Sequence, residues 1–297
     1  MPTTANKPAR IRILTDSTSD VPPELARQLN ITVVPAYIQI EGQSLRDGEQ
    51  IAREEFYRRL PSLSKVPTTA VPSAYEFAAA FRSLVGQADE VIAILLAGAL
   101  SSMISVAELG AREVPELKVH FVDSQQLAMG IGWQVIMAAE AAARGASAAE
   151  IIAMLEDVRP RIRLLAVLDT VKYLVHSGRV SWAKGFAARL LDIKPLIEFR
   201  QGEAILVGQV RTRRRAMEQL LEMLTKLGPL ERLAGHPLLR ARLGSLPRPC
   251  PGPLSGYGGP RQRNRTRHRH PHRPRRAGGG GDSGSLRESV CPHPLRR

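Results

Sequence analysis

The sequence predicts an α/β protein: a parallel sheet sandwiched by helices, then a smaller α+β domain, then a basic tail. Three observations carry this reading. Short apolar runs alternate with amphipathic stretches from Ile11 to about Val158, the pattern of strand-to-helix crossover units. The alternation then gives way to Leu164–Leu168, Ile193–Phe199 and Ala204–Val210, the last two facing each other across Gln201-Gly202 as hairpin strands do. Finally, residues 1–230 hold only +2 of the formal net charge of +14, so the body is nearly neutral and the basic character sits in the tail. The expected boundaries are 10–160 for the parallel α/β domain, 161–234 for the smaller domain and 235–297 for the tail.

In the first domain, Ile11-Arg12-Ile13-Leu14 reads as a strand that runs into Thr15-Asp16-Ser17-Thr18-Ser19-Asp20. Pro22 and Pro23 then open a helix through Leu29. Ile31–Ile40 is one β-rich run closed by Gly42 and the Arg46-Asp47-Gly48 turn, and a helix follows from about Ala52 to Leu60. Ser73 is placed to cap a helix whose Phe77, Ala80, Phe81 and Leu84 share one face. Val91–Leu96 and Val119–Val122 read as strands, Ser101 onward and Gly130–Ala143 as helices, and Ser147-Ala148-Ala149-Glu150 as a capping box. In the second domain a helix near Val171 and another over Arg213–Leu227 accompany the strands. A further strand expected near Leu233 does not arrive.

Composition narrows the function classes. The hydrophobic content of 43% supplies two cores of ordinary size. Both cysteines, Cys250 and Cys291, lie in the tail, so the body has no disulfide framework and no thiolate zinc site, which fits a cytoplasmic protein. Met1–Arg10 lacks the apolar run of a signal peptide, and no stretch is long and apolar enough for a membrane span. The tail could attract polyanions by charge, but Tyr257 is its one aromatic residue, so base stacking is nearly absent and no specific nucleic acid partner is expected.

The chemistry concentrates in polar segments placed where strands end. Pro67-Thr68-Thr69-Ala70-Val71-Pro72-Ser73 and Ala99-Leu100-Ser101-Ser102 read as hydroxyl-rich loops turning toward helices. A helix start offers unpaired N–H donors, and neighbouring hydroxyls complete a neutral cradle for one anionic group. In a parallel α/β sheet, ligands sit outside the carboxyl ends of the strands. Asp16-Ser17, Ser101-Ser102 and Asp123-Ser124 should therefore converge. Each has a plainer reading: Asp16 to Asp20 as a helix cap rather than a metal loop, Thr68, Ser73 and Ser124 as turn or cap residues. Gly130-Ile131-Gly132 has two glycines of a dinucleotide fingerprint but lacks the third and the spacing from its strand. Arg179, after His176-Ser177-Gly178, together with Arg211 and Arg213 to Arg215, supplies cations for an acidic or phosphate-bearing partner, or a solvated helix face. A stand-alone hydrolase or kinase using Asp16, Asp123 and Ser101 stays open as an alternative. No phosphate-binding Lys loop or His-paired Ser supports it.

Taken in order, Thr15–Asp20, Pro67–Ser73, Leu100–Ser102, Asp123-Ser124, Gly178-Arg179-Val180-Ser181, Ile193-Lys194-Pro195-Leu196 and Val210-Arg211-Thr212 resemble the DegV family of fatty-acid-binding proteins over about residues 10–233. The resemblance implies a long-chain fatty acid held between two α/β domains, with its carboxylate on Thr69 and on Ser101 beside Ser102. It implies no cofactor and no catalysis by this chain alone, and an ATP-binding fatty acid kinase subunit as partner, faced by Arg179 and Arg211. Ala70-Val71 stands where the family has Ser-Gln, and Ser102-Met103-Ile104 where it has Gly-Thr-Tyr, while Thr69 and Ser101 match. The family's histidine near the ligand head has no counterpart.

After about Ala234 the chain is dominated by Arg, Pro, Gly and His, a composition too poor in apolar side chains to offset its ordering entropy. It reads as a disordered tail produced by out-of-frame translation of a GC-rich gene. Resequencing the locus is expected to find a one- or two-base insertion or deletion near the Ala234 codon; an uninterrupted frame would contradict this.

Overall fold

The computed structural model describes residues 9–186 and 193–235. The first strand, β1 (Ile11–Asp16), is followed by a 3-10 turn at Ser17–Ser19, helix α1 (Pro23–Gln28) and strand β2 (Ile31–Val34). Next come β3 (Tyr37–Ile40), β4 (Gln43–Arg46), α2 (Arg53–Arg59), β5 (Thr68–Ala70) and α3 (Ala74–Leu84). Strands β6 (Glu90–Leu95) and β7 (Lys118–Asp123) flank α4 (Met103–Arg112), and α5 (Met129–Ala143) and α6 (Ala148–Val158) follow. Beyond them lie β8 (Leu164–Val167), α7 (Lys172–Ser177), α8 (Ser181–Phe186), β9 (Lys194–Arg200), β10 (Glu203–Val210) and α9 (Arg213–Lys226). The tail and its predicted disorder lie outside the described residues.

The parallel sheet has the order β2-β1-β6-β7. Its central strand β6 is apolar on both faces because both are covered. Val91, Ala93 and Leu95 join Leu14 against α3 and α4, where Phe77, Ala78, Phe81, Met103 and Ala107 meet them. Ile92 and Ile94 join Ile13 on the opposite face, against Ile131, Val135 and Ala138 of α5 and Ile151 and Leu155 of α6. Each large side chain so buried stabilises the fold by about 1.5–3 kcal/mol. Ser73 and Ser147 cap α3 and α6 through reciprocal bonds with Glu76 and Glu150, as their spacing predicts.

Two local expectations change. The run Ile31–Ile40 breaks at Pro35-Ala36: β2 stays in the parallel sheet while β3 enters a separate antiparallel sheet, β4-β3-β5. Pro35 has no N–H to offer a ladder, and the Ala36 amide donates instead to the Ser17 hydroxyl at 3.0 Å. The Thr68-Thr69 segment, expected as a loop, is strand β5, with Thr69 opposite Ile38 and Thr68 opposite Gln39. Two β-branched residues between Pro67 and Pro72 suit an edge strand better than a helix approach.

The second antiparallel sheet has the order β10-β9-β8, and Ala216 and Leu220 of α9 pack on its Leu196. The β9–β10 hairpin turns through Gln201 and Gly202, both with positive φ, the twist that suits a two-residue connection. Residues 229–235 form no strand; Arg232 instead pairs with Glu140 of α5 at 2.7 and 3.1 Å and lies over the Trp133 ring.

Gly110 marks the closest approach of α3 and α4: a Cβ there would lie 2.6 Å from the Ala74 carbonyl oxygen and 2.7 Å from the Phe77 Cβ. Although alanine is the better helix former by about 1 kcal/mol, Gly110→Ala is expected to destabilise the protein by about 1–3 kcal/mol in urea unfolding, because two backbones must part. A neutral or stabilising result would show that the helices can slide apart freely.

Candidate functional site

In the order β2-β1-β6-β7 the chain moves to one side of β1 and then crosses to the other, so the switch point lies at the carboxyl ends of β1 and β6. One side chain spans it. Asp16, at the end of β1 and fully buried, accepts the Leu96 amide from the end of β6 at 2.9 Å on Oδ2, and the Thr18 amide and hydroxyl at 2.9 and 2.5 Å on Oδ1. Burial pushes the Asp16 carboxyl up, and these hydrogen bonds offset only part of that. The expected cap is therefore real but serves the 3-10 turn; α1 begins at Pro22-Pro23 without a side-chain cap. Ser17 and the Thr18 turn are braced from below by Arg53, which ion-pairs with Asp20, donates to the Ser17 carbonyl at 2.5 Å and reaches Asp47 at 3.3 Å.

A second carboxylate acts alike one strand over. Asp123, at the end of β7, accepts the Gly98 amide at 3.2 and 3.3 Å and the Gln125 amide at 2.8 Å. Ser124 is fully buried, accepting the Gln126 amide and donating to the Gln126 carbonyl. The segment from Leu96 to Ser102 is thus held from two neighbouring strands. Of the segments expected to converge, Asp16 and Asp123 meet the same Leu96–Gly98 stretch and Ser17 and Ser124 are engaged with backbone, while no hydrogen bond joins the Ser101 or Ser102 hydroxyl to them among the described residues.

The hydroxyls of Thr69, Ser101 and Ser102 behave differently. The Ser102 hydroxyl leaves its helix end uncapped, and those of Thr69 and Ser101 make no hydrogen bond among the described residues. Thr68 donates to Gln39 at 3.1 Å, and Ser73 is used by the α3 cap. Val71, two residues beyond Thr69, and Met103 and Ile104, just beyond Ser101, all belong to or pack against the apolar cluster on the α3–α4 face of the sheet. From the turn between α7 and α8, Arg179 donates to the Leu100 carbonyl at 3.3 Å, beside Ser101, and the residue remains exposed. Arg211 is exposed between β10 and α9.

The sequence reading missed Gln126. Its backbone carbonyl accepts the Ala97 amide and its side chain reaches the Ile162 carbonyl at 3.4 Å, while the Gln126 Oε1 is buried without a hydrogen-bond partner among the described residues. Only its place two residues past Asp123-Ser124 could have pointed to it. The glycines at 130 and 132 find a structural role instead of a dinucleotide one: a Cβ would lie 2.5 Å from the Gln126 Oε1 at Gly130 and 2.6 Å from the Ser19 carbonyl oxygen at Gly132. Among the described residues, no group of three or more His, Cys, Asp or Glu is placed to hold a metal ion, and no helix is long and apolar enough to cross a membrane. The groove on the outer face of α3 and α4, bordered by Tyr75, Arg82, Leu109 and Arg112, includes none of the hydroxyl residues.

Comparison with known proteins places the fold among relatives. The profile of the DegV family, described as uncharacterised proteins, matches residues 10–233. A DegV domain-containing protein of Caldanaerobacter subterraneus subsp. tengcongensis is 35% identical over 74% of this chain and 78% of its own length. Among solved structures, a DegV family protein of Thermus thermophilus, described by its fatty acid binding, is 33% identical with a TM-score of 0.67, covering 73% of this chain and 78% of its own. A stearic acid-binding protein of Eubacterium ventriosum is 25% identical with a TM-score of 0.68, covering 73% and 76%. On a match that begins at β1 and runs through α9, this chain belongs to the DegV family.

Proposed function

We propose that the protein binds a long-chain fatty acid between residues 10–160 and 161–234, holding the carboxylate on the hydroxyls of Thr69 and Ser101, with Ser102 adjoining. The observation that carries this reading is the division of labour at the switch point. The acidic groups there, Asp16 and Asp123, are turned onto loop amides, whereas the hydroxyls of Thr69, Ser101 and Ser102 make no hydrogen bond among the described residues. Neutral donors orient a carboxylate without the tight pairing of an Arg–carboxylate fork. The alkyl chain supplies the affinity, at ~0.8 kcal/mol for each buried CH₂. The relatives from Thermus thermophilus and Eubacterium ventriosum, described as binding fatty acids, support the ligand class.

A carboxylate held this way keeps an oxygen accessible for phosphorylation, so the protein acts as the non-catalytic, cytoplasmic lipid carrier of a two-component fatty acid kinase. It presents the bound acid to an ATP-binding subunit across a face that includes the exposed Arg179 and Arg211. Arg179 suits this role because it already touches the carbonyl next to Ser101. The stand-alone hydrolase or kinase reading has no such support, since Asp16 and Asp123 carry the loops and leave no carboxylate poised as a base beside Ser101.

Two tests follow. Organic extraction of the purified protein is expected to yield acyl chains by mass spectrometry, and finding substrate turnover without a partner would favour the enzyme reading instead. The double variant Thr69→Ala/Ser101→Ala should weaken fatty acid affinity roughly a hundredfold by fluorescence displacement, because it removes two hydrogen bonds to a charged group, each worth about 1.5 kcal/mol or more. Unchanged affinity would remove both residues from the site.

A further inference from the structure

The segment from Ser124 to Ala128 carries more strain and more cross-connections than a simple strand-to-helix turn requires. Gln125 has φ of 50°, and Ala128 has φ of 50° with ψ of −141°, a conformation natural to glycine and costly for alanine. The side chains of Ser124 and Gln126 are fully buried, and the Gln126 Oε1 has no hydrogen-bond partner among the described residues. Besides the bonds of Ser124 to the Leu95 carbonyl and the Gln134 side chain, three bonds tie the segment to the stretch before Ser101 and to the later part of the chain. The Gln126 carbonyl accepts the Ala97 amide at 3.2 Å, in the segment that leads to Ser101. The Gln125 carbonyl accepts the Gly202 amide at 2.9 Å, at the tip of the β9–β10 hairpin. The Gln126 side-chain amide reaches the Ile162 carbonyl, where the chain passes into the small domain.

We propose that residues 124–128 are a positioning element that couples the small domain to the Ser101 segment: Gln126 and a strained Ala128 hold the hydroxyls in place while the hairpin is docked and release them together when it lifts. The inference rests on the fatty-acid reading given above and adds a residue set and a motion to it. Strain has the right sign for this purpose. Ala128 lies two residues past Gln126, and its carbonyl accepts the Ile131 and Gly132 amides at 2.9 and 3.1 Å, so its unfavourable conformation sits where the cross-bonded segment joins the first turn of α5. A strained residue that persists only while its surroundings over-determine it is a spring biased toward opening. Tyr37, Glu76 and Ser73 brace the β5–α3 side by hydrogen bonds.

Ala128→Gly relieves the strain without removing a contact, and Ala128→Val increases it. With the full-length protein, the first readout is transfer of an anthroyloxy-labelled stearate from the protein to phosphatidylcholine vesicles. The second, which needs no ligand, is hydrogen exchange at the amides of Ala97, Gly98 and Gly202. Ala128→Gly is expected to slow release roughly three- to tenfold and to raise protection at all three amides together; Ala128→Val should do the reverse. If Ala128→Gly changes protection only within residues 125–130 and leaves release unaltered, the coupling is refuted. Failure of the unsubstituted protein to take up the probe would count against fatty acid binding, and the exchange pattern would still decide the coupling.

Discussion

The buried carboxylate of Asp16 is the constraint on which the candidate site depends. It joins the carboxyl ends of β1 and β6 across the switch point by accepting the Leu96 amide, and it shapes the 3-10 turn through Thr18. An ionised or polar group in such a place is costly unless its hydrogen bonds are made. Here each oxygen has a donor, so the burial fixes where the chain goes after β6. Asp123 repeats the arrangement from β7. Together they turn two acidic residues, which would repel a fatty carboxylate, into supports for a segment that presents neutral hydroxyls.

Much of the architecture is legible in the sequence because burial is two-sided in the parallel sheet. A run such as Val91 to Leu95 has no good place except a covered central strand, and the capping residues Ser73 and Ser147 announce their helices through Glu76 and Glu150 three residues on. The hairpin across Gln201-Gly202 is equally plain. Where the reading errs, tertiary pairing decides. Ile31 to Ile40 has strand propensity throughout, and only the missing N–H of Pro35 and the demand of Ser17 for the Ala36 amide show that it serves two sheets. Thr68 and Thr69 look like loop hydroxyls until β3 is available to pair with them.

The candidate site divides along the same line. Asp16 and Asp123 can be picked out because they close strands, and Ser101 because it stands just before α4, positions set by local pattern. Gln126 cannot, because its importance lies in bonds to Ala97 and Ile162, which no local spacing encodes. Nor does anything in the sequence show that Arg179 reaches back to the carbonyl beside Ser101, or that Arg232 anchors the chain after α9 onto Glu140 and Trp133. Contacts between domains are the part of a fold that patterning leaves open.

The account stands on acidic side chains serving the backbone so that uncharged hydroxyls can face the ligand. A crystal structure of the protein with stearate bound tests this directly. The account predicts a carboxylate within hydrogen-bond distance, about 2.7 Å, of the Thr69 and Ser101 hydroxyls, with Asp16 still on the Leu96 amide and the alkyl chain running between the two domains. Stearate seated elsewhere, or a carboxylate held by a basic side chain with both hydroxyls idle, would contradict it.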